Sequence, residues 1–284
     1  MSWELTQDTV DQEQFRQLAT SGLSDRKIAE ILGCTAQTVG RWRDLFGIPR
    51  SQIRGSGTVL AIDGHFLAQI DTPEKAYILG FLIADGHVYK SGDRVELGVK
   101  EADCAILTAI TEAMNLNVPL RTSINGDKSH YTRITLGGRM MAEDLARHGL
   151  RNDKSTTAAY PSVPTELESH LVRGIWDGDG WIGKYQFELI GTSALLDGVV
   201  AAAERHAGCL MRRRMSGKDN RYHYAYGTRR DTDVLHWMYS GAGIVLERKR
   251  EKFLTDWSEV PSTKSLNHRI GARTYTRKPG ALGC

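Results

Sequence analysis

Two aspartates, Asp85 and Asp179, each stand directly before a glycine at the end of a short apolar run. The runs are "ILGFLIADG" (78–86) and "VRGIWDGDG" (172–180), and the acids lie 94 residues apart. Gly80 and Ala84 are four residues apart in the first run, as are Gly174 and Gly178 in the second. On a helix that spacing puts both small residues on one face, where two backbones can approach closely. A glycine inside a helix costs about 1 kcal/mol relative to alanine, so its repetition at matching positions implies a helix–helix contact that offsets the cost. If the two helices pack in parallel, Asp85 and Asp179 emerge side by side at their C-terminal ends. There the carboxylates repel each other and face the partial negative charge of a helix terminus. Such a cluster needs a cation, and oxygen-only ligands point to Mg2+ or a similar hard ion. Carboxylates, a divalent cation and positively charged strands nearby together suit phosphodiester hydrolysis.

Plainer readings compete. A single Asp-Gly after a helix reads as a C-terminal turn, but the recurrence with matching surroundings argues for more. "DGDGWIGKYQFE" also puts Asp177, Asp179 and Glu188 at positions 1, 3 and 12 of a calcium loop. Trp181 then stands where an oxygen ligand belongs and Ile182 where glycine is required, which excludes that loop. Asp177 has Ile83 as its counterpart in the first run; the position is expected mostly to support packing or capping, and an acid there could also make the second site the more acidic.

The elements that must position the acids repeat as well. A helix starts at Pro73, a favoured first-turn residue, and another after Pro164. Each acid is followed by a strand pair, then a helix (102–114 and 193–206). Two further strands follow ("PLRTSI" with "HYTRITL"; "LMRRRM" with "YHYAYGT"), then a closing helix (139–148 and 232–239). Each unit reads αββαββα, and the natural assembly is an α+β pair of pseudosymmetric half-domains.

Residues 1–48 form a separate helical unit. Ser24 caps a helix over 25–32, Gly33 turns the chain, and Thr35 caps a second helix over 36–46. Ile28, Ala29, Ile31 and Leu32, and then Val39, Trp42 and Leu45, are expected to face inward at helical spacing. This unit resembles a helix-turn-helix. Gln37, Thr38 and Arg41, with Arg43 nearby, would meet base edges and phosphates in a major groove. A helical hairpin used for protein contacts is the alternative. Residues 49–70 read as a Gly/Ser/Arg-rich linker.

The chain has 284 residues, 40% hydrophobic and 25% charged, with a net charge of +3. No apolar run reaches the ~18 residues of a membrane span, and the acidic, polar start does not read as a signal peptide. Four cysteines without CxxC spacing argue against a disulfide framework or a zinc finger and suit a reducing, cytoplasmic compartment. Positive charge is concentrated: 205–230 holds eight Lys/Arg against one acid, and the tail 261–284 holds five against none. Such stripes suit a polyanion.

"ILGFLIADG" and "VRGIWDGDG", with the later stretches "LRNDKST" and "LERKREKF", resemble the LAGLIDADG homing endonucleases, over one unit at 71–160 and another at 161–260. The resemblance implies a single chain, acting as a monomer, whose two sheets form a saddle on double-stranded DNA. It implies motif helices meeting at Gly80, Ala84, Gly174 and Gly178. Asp85 and Asp179 would be metal-binding catalytic acids, with the carbonyls of Ala84 and Gly178 as further ligands. The cofactor would be Mg2+ or Mn2+, with Ca2+ as a non-cleaving substitute. The product would be a double-strand break with 3′ overhangs at a long asymmetric site. A basic residue accompanies such sites, and Lys154 and Lys249 are the candidates, with Lys90 and Lys184 as a symmetric alternative. Sequence reading would fall to Arg121, Lys128 and Arg133 in the first half and Arg212, Arg214, Arg221, Tyr222 and Tyr224 in the second. The expected setting is a mobile element in a bacterial or phage-infected cell, near the nucleoid. A non-cutting DNA-binding regulator and an RNA-splicing maturase are the rival functions.

Overall fold

The computed structural model describes residues 12–20, 23, 25–48, 65–92, 94–116, 118–124, 130–215 and 223–260. Most of the linker, the tail from 261, the Ser24 cap, Lys128, Arg221 and Tyr222 lie outside the described residues.

The N-terminal unit has three helices, α1 (Gln12–Thr20), α2 (Asp25–Leu32) and α3 (Ala36–Phe46). Thr35 caps α3 by accepting from the Thr38 amide, and Gly47 closes it in the left-handed conformation. Phe15, Ala19, Ile28, Ala29, Val39 and Trp42 form its own small core. Ile31 and Leu45, expected inside, are 48% and 57% exposed. Both lie outside the core that Phe15 and Ala19 of α1 complete with Ile28, Ala29, Val39 and Trp42. Arg43 is a second correction: it is buried rather than outward-facing, pairs with Asp25 at 2.7 Å and donates to the Ala19 carbonyl at 3.0 Å. It ties α3 to α2 and α1 and does not belong to a DNA-facing set.

The remainder is α+β, in two pseudosymmetric halves. The first runs α4 (Pro73–Asp85), β1 (Gly86–Val88), β2 (Val95–Lys100), α5 (Ala105–Ala113), β3 (Arg121–Ile124), β4 (His130–Gly137), α6 (Arg139–Arg147) and the short α7 (Lys154–Thr157). The second runs α8 (Glu168–Asp179), β5 (Gly180–Ile182), β6 (Gln186–Gly191), α9 (Ser193–Ala207), β7 (Arg212–Met215), β8 (His223–Thr228), α10 (Asp233–Tyr239) and α11 (Glu247–Asp256). Each half holds one antiparallel sheet, ordered β1-β2-β4-β3 and β5-β6-β8-β7. The registers correspond, with Gly86 opposite Leu97 and Gly180 opposite Leu189. Three differences from the expected pattern appear. A 3-10 turn (Glu101–Asp103) precedes α5, another (Thr165–Leu167) separates Pro164 from α8, and α7 and α11 extend each unit beyond αββαββα.

Alternation builds the sheets. Val95, Leu97 and Val99 on β2, and Phe187 and Leu189 on β6, point into one core shared by both halves. Helix α4 is capped by Thr72 with Pro73 in its first turn, and every residue from Ala76 to Ala84 is buried. It is apolar all round because α8 lies on one side and its own sheet on another.

Candidate active site between the motif helices

The glycines of α4 and α8 meet reciprocally. A Cβ on Gly80 would collide with the Leu171 carbonyl oxygen and stand 2.9 Å from the Ile175 nitrogen. A Cβ on Gly174 would collide with the Tyr77 carbonyl oxygen and stand 2.8 Å from the Phe81 nitrogen. The obstacles are main chain, and each lies three residues before or one after the partner glycine. One turn further on, a Cβ on Gly178 would overlap Ala84. The helices therefore run together to their C-terminal ends, where Asp85 and Asp179 close them. Asp85 Oδ2 lies 3.3 Å from the place such a Gly178 Cβ would take.

The electrostatics reflect this crowding. Solvent reaches Asp85 through an open side, but the surrounding protein strips much of its hydration, and Asp179 repels it. Together they push its carboxyl up to about 6, against a pull from Lys154 and Lys249. Asp179 is also raised by burial and held down by the same two lysines.

Those lysines come from the two helices that extend the units. Lys154, first residue of α7, donates to the carbonyls of Ile83 (2.7 Å) and Ala84. Lys249 on α11 donates to the carbonyls of Trp176 (2.8 Å), Asp177 (2.7 Å) and Gly178 (3.3 Å). Each ammonium thus sits on the last carbonyls of a motif helix, where intrahelical N–H partners run out, although the Trp176 carbonyl also accepts from the Gly180 amide. Burial drives Lys249 down to about 8 and lowers Lys154 as well. Part of the positive charge that the acids require is therefore built into the chain. Lys249→Met would strand buried carbonyls, and a loss of about 2–3 kcal/mol is expected from the denaturant midpoint.

Asp177 does not add acidity to this floor. It is fully buried and accepts from Tyr77 Oη (2.8 Å), the Leu246 amide (2.7 Å) and Tyr239 Oη (3.4 Å). Its carboxylate secures α8 to α4 and to the loop before α11. Burial pushes its carboxyl up to about 6, despite help from those donors. A raised carboxyl binds its proton more tightly folded than unfolded. Its contribution is complete below the unfolded value and is lost as pH rises through about 6. The full amplitude is about 3 kcal/mol. Asp177→Asn is expected to remove this share of the pH dependence between about pH 4 and 6, measured as unfolding free energy against pH. Asp177→Ala would leave the Leu246 amide and Tyr77 hydroxyl unanswered and cost about 3–5 kcal/mol.

Outward residues align in rows across each sheet. In the first half, His87 faces Glu96, and Arg133 faces Gly98 on one side and Arg121 on the other. In the second, Trp181, Glu188, Tyr226 and Arg212 are successive cross-strand partners, and Ile190, Tyr224 and Arg214 form the next row. The Arg214 guanidinium lies 4.5 Å from the Tyr224 ring centroid and pairs with Glu188 at 2.6 Å. Trp181, Glu188 and Tyr226 were missed in the sequence reading, though strict alternation from Tyr224 identifies Tyr226. Lys90 and Lys184 are exposed at the hairpin turns, and Gln37 and Arg41 are exposed on α3, with Thr38 half-buried.

Among the described residues no group of three or more Asp, Glu, His or Cys side chains is placed to hold a metal ion by itself. A cation held here would rest on the two carboxylates, with outside oxygens completing its shell; the carbonyls of Ala84 and Gly178, expected as further ligands, already accept from Lys154 and Lys249. The set is all oxygen, and the two acids repel each other without such an ion, so the residues fit a hard divalent cation. No helix among the described residues is long and apolar enough to cross a membrane.

No family model matches the chain, and no curated protein matches it. Solved structures that match the chain include the homing endonuclease I-DmoI in complex with DNA and Ca (15% identity, 67% of this chain, 98% of that one, TM-score 0.43). Another is the homing endonuclease I-WcaI bound to its DNA recognition sequence (9% identity, 65% and 87%, TM-score 0.46). A third is full-length DUF199/WhiA from Thermatoga maritima (11% identity, 74% and 70%, TM-score 0.42).

Proposed function

We propose that this chain is a divalent-metal-dependent DNA endonuclease that cuts both strands of a long, asymmetric duplex site, acting as a monomer and leaving 3′ overhangs. The observation that carries the reading is the acid pair. Asp85 and Asp179 are held together by an interlocked backbone contact, in a position where burial and mutual repulsion raise Asp85 although Lys154 and Lys249 pull against them. A structural role would not need two carboxylates at one strained point. Asp85 and Asp179 would hold Mg2+ or Mn2+, with outside oxygens completing the shell. When bound, such an ion would supply an activated water and charge stabilisation at the leaving oxygen. Lys154 and Lys249 keep the helix-end carbonyls neutralised and aim the acids outward. Arg121 and Arg133 on one sheet, and Arg212, Arg214 and Tyr224 on the other, contact the duplex. Because the two rows differ, the two half-sites differ. The N-terminal unit, through Gln37, Thr38 and Arg41, is a second reader joined by the linker.

A second reading, a DNA-binding regulator that does not cut, is favoured by one observation. The lysines already answer part of the negative charge at the helix ends, which leaves the floor tolerable without metal. Duplexes selected from a randomised pool by the protein in Ca2+, then incubated with Mg2+, decide between the two. Discrete cleavage in both strands supports the nuclease; retention without cleavage at any Mg2+ or Mn2+ concentration supports the regulator.

A further inference from the structure

Trp181 lies two residues past Asp179 and is 54% exposed on the outward side of its sheet. An indole left in water forfeits the burial that normally accounts for its place in a fold. Part of the ring rests on its own hairpin. The far edge of its six-membered ring lies over Gly183, whose lack of a side chain leaves room for it there. The same hairpin presents Lys184 and Tyr185, with the ammonium 5.3 Å from the phenol centroid and the phenol 67% exposed. In the first half the equivalent position is His87, also exposed and facing a glutamate as Trp181 does. It stacks edge-on against Tyr89, 4.6 Å between centroids.

We infer that Trp181 is a stacking platform for a base of double-stranded DNA at the step beside the strand cut near Asp179, and that it opens that step. His87 plays the smaller counterpart role in the other half-site. The inference rests on the proposed nuclease reading and adds to it a residue that reads bases through their faces rather than their edges. The chemistry fits: a flat ring, a neighbouring ammonium and an exposed phenol form the combination by which proteins hold unstacked bases, at about 1–3 kcal/mol per base. The asymmetry between indole and imidazole makes the half-site over the second sheet the more demanding of the two.

The test uses the full chain carrying Asp85→Asn, so that nothing is cut, and a duplex selected from a randomised pool. 2-Aminopurine replaces each central base in turn. One position is expected to change emission on binding. That change should vanish with Trp181→Ala and survive with Trp181→Phe, and Trp181→Ala should weaken binding about 5- to 150-fold. The thermal midpoint should stay unchanged, since the ring is exposed; a fall matching the loss of binding would overturn the assignment in favour of a structural role. Equal affinity and an equal emission change for Trp181→Ala would overturn it while leaving the nuclease reading intact. Failure of the parent chain to select any duplex would remove both together.

Discussion

Gly174→Ala, or Gly80→Ala, is expected to destabilise the protein by about 3 kcal/mol or more, with a thermal midpoint lower by about 6–12 °C. The added methyl group meets the main-chain carbonyl of Tyr77 or Leu171. A side chain could rotate away, but a carbonyl inside a helix cannot move without breaking its own hydrogen bonds. The two helices must therefore separate. Helix propensity works in the opposite direction, because alanine is favoured over glycine by about 1 kcal/mol. A net loss would thus show that the contact outweighs the intrinsic preference. Gly243→Ala is the control: nothing lies within 4 Å of its Cβ position and its φ is ordinary, so a change within about 0.5 kcal/mol is expected. Thermal and denaturant unfolding of the three variants measure this directly. Because Asp85 and Asp179 ride on the tips of these helices, a Gly174→Ala chain that remains folded should also bind divalent cations more weakly.

How much of this was legible in the sequence depends on how local each signal is. Four-residue spacing of small side chains, proline in a first turn and strict alternation are short-range, and from them the helix pair and both sheets could be placed. Neutralisation was different. The sequence argument correctly required positive charge at the helix ends but assigned it to a metal alone. Lys154 and Lys249 deliver part of it from about 70 residues downstream. Only the tertiary path of α7 and α11 brings them there. For Asp177 the packing role expected of the position holds, and the added acidity does not. Its neighbour Asp179 faces the shared floor, whereas two residues round a helix is about 200°, which turns Asp177 toward Tyr77 and Leu246. Arg43 was misplaced because a basic residue on a recognition-type helix is normally exposed. The buried side of α3 was underestimated without α1, whose Ala19 carbonyl receives the guanidinium.

The pseudosymmetry is therefore close in backbone and loose in chemistry. Ile83 answers Asp177, Ala84 answers Gly178, and His87 answers Trp181. Lys249 holds three carbonyls from a buried position, while Lys154 holds two and is partly open. Two sites built on different supports should not act at equal rates, even where their acids correspond.

Asp85→Asn and Asp179→Asn should each abolish double-strand cleavage, lowering its rate by at least about a thousandfold, since several kcal/mol of stabilisation at the reacting centre go with the lost cation. Each substitution keeps the side-chain shape and removes one negative charge. In the absence of metal both variants should consequently bind duplex DNA more tightly than the parent, because a carboxylate opposite phosphates is repelled by them. Loss of cutting combined with gain of metal-free binding separates a catalytic acid from a structural one, whose replacement would weaken both. The pH dependence adds an independent check. The Asp85 carboxyl is pushed up to about 6, so below that value a proton competes with the cation for the same oxygens. Divalent-ion affinity of the parent, measured by calorimetry without DNA, should fall by about tenfold for each pH unit below about 6, because one proton is then displaced per ion bound. In Asp85→Asn the slope attributable to that residue should be absent. A parent chain whose affinity is flat from pH 7 to pH 5 would show that the ion does not rest on Asp85, and the acid pair would lose its assigned role.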